Sequence, residues 1–284
     1  MINVDNTERN MLDLIETCKR ISSQMRVDAL QMTKNTGNTG AHIGGALSMI
    51  EIMAVLYNGL MKYDIKDPYW EGRDRFILSK GHGVMAQYVA MKSVGIISDE
   101  ELKTFKHNDT RLYAHPSLNM DIGIEFSSGS LGQGLSLGVG TALALKQKGN
   151  DDSRVFVLVG DGESNEGQIW EAAMSASHFN LDNLVVIVDK NNLQYDGDTN
   201  LILNMDSVVD KWKAFGFETV TINGHSVEEL ITAFSRRPSK PYAIIAETVK
   251  GKGVSFMEND ASWHNNRLTD DQFKQAMEEQ GVSL

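Results

Sequence analysis

Cysteine is nearly absent from this chain. The single one, Cys18, excludes an internal disulfide and a cysteine-based zinc site. Long apolar runs are missing as well. None approaches the ~18 residues of a membrane helix, and the N-terminus lacks the pattern of a secretory signal. Basic residues are the minority: 27 Lys and Arg stand against 38 Asp and Glu, a net charge of −11. That balance argues against nucleic acid as the main partner. A cytoplasmic protein that meets neither membrane nor nucleic acid is therefore the expectation.

Apolar residues are plentiful but dispersed. They make up 41% of 284 residues, with 23% charged, which suits a packed globular core. This length permits one large α/β domain or two small ones. Residues 8–35 carry Met11, Leu12, Ile15, Ile21 and Met25 near helical spacing, and Gly37 is a plausible stop. The stretch Ala46–Leu60 is apolar nearly all round, as in a buried helix. Arg75–Ser79 reads as a short buried strand, with a helix over Val84–Ser93. Residues 105–128 show little regular pattern. Further strands are expected at Thr219–Ile222 and Tyr242–Glu247, and a helix over Asp206–Phe215. Ser226 and Glu229 have the spacing of a capping box, and Thr269 caps a final helix. Strands and helices alternate without a linker or a repeat. That implies one doubly wound α/β domain over residues 1–284, built on a mainly parallel sheet.

The centre of this pattern is RVFVLVGDGESNEGQIWEAAMSASHFNLDNLVVIVDKNN, residues 154–192. Apolar strands Val155–Val159 and Leu184–Val188 flank a helix from Gln168 to Phe179. Parallel strands need such a crossover. Both strands then deliver polar residues, Asp161 and Asn191, to the carboxyl edge of the sheet, where open α/β sheets bind ligands. The chemistry suits a hard divalent cation with a diphosphate. Asp161 offers a carboxylate oxygen, Asn191 an amide oxygen, and the chain beyond it a backbone carbonyl at Leu193. The glycines beside Asp161 let a diphosphate approach the backbone. Histidines stand at comparable places. His82 follows strand Arg75–Ser79, and His42 precedes the Ala46 helix. The run from Gly129 to Gly134 opens another helix, but without a preceding strand or the G-x-G-x-x-G order of a dinucleotide loop. Gly134, Gly138 and Ala142, spaced by four, form a smooth face there, expected to let another helix approach closely.

Gly-Asp-Gly followed thirty residues later by Asn resembles the thiamine diphosphate motif. The segments GAHIGGALS, LSKGHG, YAHPS, SSGSLGQG, GDGESNEGQIWEA, DKNNLQYDG, TVKGKGVSFMEN and SWHN extend the likeness from about Ile15 to the end of the chain. Together they resemble the N-terminal, diphosphate-binding half of transketolases, most closely the N-terminal subunit of those split into two chains. The resemblance implies that Asp161, Asn191 and the Leu193 carbonyl hold Mg²⁺, with Ca²⁺ or Mn²⁺ as substitutes. It puts Gly162, His82 and His264 at the diphosphate of thiamine diphosphate, and Gly129 and Leu131 by its aminopyrimidine. His42 and His115 match histidines around the reacting sugar, so that His42, His82, His115 and His264 become candidates for hydroxyl contacts and proton transfers. Glu166 and Glu171 match acidic residues that meet the partner domain and link two active sites. Two segments depart from the family's commoner form: Gly-Ala-His stands for Ser-Gly-His, and the acidic residue often seen after His-Pro is missing after His115-Pro116.

In the family, the glutamate that activates the cofactor and the arginines for substrate phosphate lie in further domains. The expectation is thus half an enzyme. It would join a second transketolase subunit carrying the pyrimidine and C-terminal domains, in an α2β2 assembly, and transfer a two-carbon ketol unit from a ketose, phosphorylated by expectation, to an aldose. Two other readings stand beside it: the α subunit of a 2-oxoacid dehydrogenase first component, and a cofactor-binding subunit without turnover. The His42, His82 and His115 loops suit polyhydroxy substrates and speak against the former.

Overall fold

The computed structural model describes residues 4–283. In chain order its helices are α1 (Val4–Asn35), α2 (Ile43–Leu47), α3 (Ile50–Val55), α4 (Val84–Ser93), α5 (Asp99–Leu102), α6 (Gln133–Gln147), α7 (Gly167–His178), α8 (Thr199–Leu203), α9 (Val208–Ala214), α10 (Val227–Ser235) and α11 (Asp270–Glu279). The strands are β1 (Arg75–Leu78), β2 (Val155–Gly160), β3 (Leu184–Lys190), β4 (Leu193–Gln194), β5 (Gly197–Asp198), β6 (Glu218–Asn223) and β7 (Tyr242–Glu247). Five of them form one sheet in the order β1-β2-β3-β7-β6, and every pairing is parallel.

Alternation along the strands builds two cores. Phe76, Leu78, Phe156, Leu158, Val185, Ile187 and Ile244 face one side and pack with α1, α3, α4 and α10. Ile77, Val155, Val157, Val159, Val186, Val188 and Ile245 face the other and pack with α6, α7 and α9. Because both faces are covered, the central strands are apolar throughout rather than alternating with polar residues. The fold is thus the doubly wound, parallel α/β arrangement. Its parallel order places the ends of β1, β2, β3 and β7 at one edge, which positions everything in the candidate site.

Three local expectations change. The apolar stretch Ala46–Leu60 is not one helix. It splits at Ser48–Met49, and its last turn, Leu56–Leu60, is wider than an α-helical turn. Ser48 Oγ reaches across to Asp189 Oδ2 at 2.6 Å, so a tertiary bond holds the break. At Ser226 only half of the capping box forms. Its hydroxyl accepts from the Glu229 N–H, but the Glu229 carboxylate turns to the Asn223 N–H at 2.8 Å. The complete box is at Thr269, with Gln272. Finally, the smooth face of α6 meets the sheet and not another helix. A Cβ on Gly134 would lie 2.5 Å from Ser79, and one on Gly138 would overlap Val157.

This contact predicts opposite outcomes at two glycines of one helix. Gly138→Ala overpacks the sheet contact and should cost about 1–3 kcal/mol. At Gly140 an added Cβ meets nothing within 4 Å, so Gly140→Ala should stabilise by about 0.5–1 kcal/mol through lower backbone entropy. Urea unfolding of both variants checks the pair.

Candidate active site

The residues that end β1, β2, β3 and β7 enclose a cavity of ≈ 290 Å³. After β1 come Lys80 and His82, after β2 Asp161 and Gly162, after β3 Asn191, in β4 Leu193, and after β7 Lys250. Leu131, Glu166 and His264 also line it. Close backbone approach makes this convergence feasible. Gly44 presses against the Trp263 carbonyl, where a Cβ would lie at 2.7 Å, and Gly45 sits by the His82 ring. Gly44 has no room for a side chain without a backbone shift, and at Gly45 a Cβ would crowd the His82 ring at 3.3 Å.

Beneath the cavity lies Asp189, wholly buried. Its carboxylate accepts from Ser48 at 2.6 Å, from Asn191 Nδ2 at 3.2 Å, and from Lys80 and Thr248. Burial opposes ionisation of this carboxyl, but the Lys80 ammonium and the hydroxyl donors outweigh it and hold the group below the usual carboxylate range. The bond to Asp189 also orients the Asn191 amide, leaving its Oδ1 to face the Leu193 N–H at 3.1 Å.

Asp161 has the opposite balance. Burial, and then the charge of Asp189, push its carboxyl up to about 6 despite backbone donors at Gly162 and Asn192. Its two oxygens take those N–H groups at 2.8 and 2.5 Å. The Leu193 carbonyl accepts from the Lys250 ammonium at 3.2 Å. Lys250 also reaches His264 Nδ1 at 3.0 Å. An ammonium can only donate, so Nδ1 is the acceptor and the proton of neutral His264 sits on Nε2. Burial first, and Lys250 next, lower Nδ1 basicity until His264 titrates at about 3.

The four predicted histidines come together. The His42 ring lies 5.8 Å from His82, 5.4 Å from His115 and 5.5 Å from His264, centroid to centroid. His82 and His264 are 4.9 Å apart. Burial is the leading reason that all four are less basic than a free imidazole. Gly129 adjoins the cluster, where a Cβ would lie 3.3 Å from His115. Glu171 is exposed on α7 and is not brought to the cavity wall; Glu166 is exposed but lines it.

Sequence reasoning left Lys80, Lys250, Asp189 and Glu163 without roles. Glu163 is buried and joins Ser79, the Gly132 N–H and the Gly160 N–H, so that it ties the start of α6 to β1 and β2. The available signal was a charged residue directly at or after an apolar strand, where burial demands a partner.

Comparison with known proteins decides the family. Residues 17–283 match the family described as "Transketolase, thiamine diphosphate binding domain". The chain belongs to the transketolase family. A 6-deoxy-6-sulfo-D-fructose transketolase subunit of Clostridium sp. (strain MSTE9) is 43% identical over 84% of this chain and 87% of its own length. One of the subunits of the apulose-4-phosphate transketolase of Phocaeicola vulgatus is 42% identical over 84% and 85%. The transketolase of Campylobacter jejuni superposes with a TM-score of 0.88 at 32% identity, over 95% of this chain but 43% of that one. Relatives that are themselves subunits thus match over most of their length, whereas the Campylobacter jejuni chain matches over less than half of its own. These likenesses support the N-terminal subunit of a two-chain transketolase.

The histidine cluster predicts acid sensitivity. His42 titrates at about 4 when folded, against 6.5 for the free group. Unfolding therefore takes up a proton between these values, and the stability it contributes above pH 6.5 is lost as pH falls towards 4. Between about pH 7 and pH 5, His42→Gln should lose less stability than the parent chain, by about 1 kcal/mol after allowing for the ring's partial exposure. Urea titrations at the two pH values measure the difference.

Proposed function

We propose that the cavity binds thiamine diphosphate with a divalent cation, and that the histidine cluster receives the sugar of a ketol transfer. The observation that carries this reading is the meeting of Asp161, Asn191 and the Leu193 carbonyl with four neutral imidazoles at one sheet edge.

The residues fit a cation. Asp161 bears a buried carboxylate whose ionised form is disfavoured beside Asp189, and a cation would relieve that repulsion. The Leu193 carbonyl already accepts a positive group, Lys250. Among the described residues no cluster of three or more His, Cys, Asp or Glu is arranged for a metal. The donors in this reading are one carboxylate, one amide and one carbonyl, a set that leaves places for phosphate and water and suits Mg²⁺. Ca²⁺ or Mn²⁺ could substitute.

Thiamine diphosphate supplies the electron sink that ketol transfer requires. The chain's part is binding and positioning. Gly162, His82 and His264 take the diphosphate, the last two as neutral donors, and Lys250 adds positive charge. Gly129 and Leu131 flank the aminopyrimidine. His42 and His115 contact sugar hydroxyls and exchange protons with them, work for which a neutral imidazole has both a donor and an acceptor. Glu166 and Glu171 face a second subunit. Leu131 and Tyr195 line the cavity and are exposed apolar residues, which supports cover by such a subunit in an α2β2 assembly. The donor is a ketose carrying phosphate or another anionic group, and the acceptor an aldose.

Two outcomes test this reading. Asp161→Ala should weaken thiamine diphosphate binding with Mg²⁺ at least tenfold, or about 1.4 kcal/mol, by calorimetry on the chain assembled with its partner. Unchanged affinity would overturn the cation assignment. Ketol transfer from a panel of phosphorylated and sulfonated ketoses should be silent with this chain alone and appear when the second subunit is added. Robust turnover by the chain alone would refute the shared site.

A further inference from the structure

A second charged cluster lies behind the cavity and touches none of the residues assigned to cofactor or sugar. Glu51, on α3, is buried with its side chain 10% exposed. One oxygen, Oε1, accepts from Arg26 Nη2 of α1 at 2.6 Å, and the other, Oε2, lies 2.9 Å from His225 Nδ1 in the turn between β6 and α10. Each partner of Glu51 also grips the segment that follows β7. Arg26 Nε donates to the Lys252 carbonyl at 2.9 Å, and the Val249 N–H donates to His225 Nε2 at 2.9 Å. Nε2 is therefore an acceptor and Nδ1 carries the proton given to Glu51. Gly253 comes so close that a Cβ would lie 2.5 Å from Arg26.

The two grips fall on either side of Lys250. Between them the Gly251 N–H reaches the Gly44 carbonyl at 3.0 Å, and the Lys250 carbonyl takes the Asn259 N–H at 3.0 Å. The backbone that presents Lys250 is thus held by groups with no other task in view. A buried carboxylate with two hydrogen-bonded cations or donors is costly to assemble for stability alone, and here both partners converge on one turn.

We infer that Arg26, Glu51 and His225 form a clamp that aims Lys250 at the Leu193 carbonyl and at His264 Nδ1, with His225 as a positioning residue for the cavity. The clamp sets the His264 tautomer at second hand: by holding Lys250 against Nδ1, it keeps the Nε2 proton available to a ligand. The consequence for cofactor binding rests on the function proposed above, whereas the shielding of Lys250 does not.

Two substitutions separate positioning from mere stability. In His225→Gln, Oε1 stands where Nε2 stood and can still accept from the Val249 N–H. In His225→Asn, the amide reaches only the Nδ1 position and leaves that N–H without an acceptor. The first measurement needs no cofactor: acylation of Lys250 by an amine reagent and hydrogen exchange over residues 248–253, both read by mass spectrometry on the full chain. His225→Asn should raise both rates by at least about tenfold, with His225→Gln near the parent. Equal rates in the two variants, or no change in His225→Asn, would overturn the clamp. The second measurement is thiamine diphosphate binding with Mg²⁺, with the partner subunit present. His225→Asn should weaken it about tenfold in the parent and cause no further loss in a Lys250→Met background. Additive losses would mean that His225 does not act through Lys250. If the parent binds no cofactor, the reading of the cavity fails, and the labelling result alone decides the clamp.

Discussion

The carboxylate of Asp189 is the interaction on which the site depends. It is wholly buried at the end of β3 and gathers Ser48 from the break between α2 and α3, Lys80 from β1, Thr248 from β7, and Asn191 from its own strand end. One charge thereby joins four segments that are far apart in sequence. Removing one partner from such a buried pair typically costs about 3–5 kcal/mol, because it strands the other charge. Lys80 is placed by the same logic. Its ammonium also reaches the Gly45 carbonyl at 2.8 Å, which draws the start of α2, and with it His42, towards His82.

Above this hub the electrostatics are arranged to keep imidazoles neutral. Burial is the main cause at His42, His82, His115 and His264, and the ammonium groups of Lys80, Lys106 and Lys250 add to it. A neutral imidazole keeps one donor and one acceptor, so each ring can both give and take a hydrogen bond. The arrangement separates charged side chains from neutral rings. Carboxylates and ammonium groups lie in the floor, and neutral rings stand over it. Asp161 is the exception, a carboxylate in the wall whose ionised form lacks a full counter-charge.

Much of this was legible in the sequence. The strands ending at Asp161 and Asn191 are apolar runs of the right length, and Tyr242–Glu247 matches its strand end to end. The four histidines sit in transketolase-like motifs and do meet. Other features were illegible for a physical reason. Apolar content alone made Ala46–Leu60 one helix, because nothing local announces that Ser48 will bond to Asp189, 141 positions away. Glycines spaced by four suggested a helix partner for α6, but spacing defines a smooth face without saying what meets it; the sheet does. Ser226 and Glu229 had the right spacing for a box, yet Glu229 found a better-placed donor at Asn223.

The sequence by itself determined the class of fold, the family and the residue types at the sheet edge, because periodicity, strand length and motif spacing are local properties. Tertiary structure alone decided which charges face one another. That Lys250 reaches His264 and Leu193, and that Glu51 joins Arg26 to His225, depends on the packing of α1, α3, β7 and the turns around them. Such pairings follow from the burial of polar groups, which must find partners wherever the fold brings them. Linear order holds no record of that requirement. The same lysine after an apolar strand could have ended in solvent, and only the closed edge of the sheet turns it into part of a site.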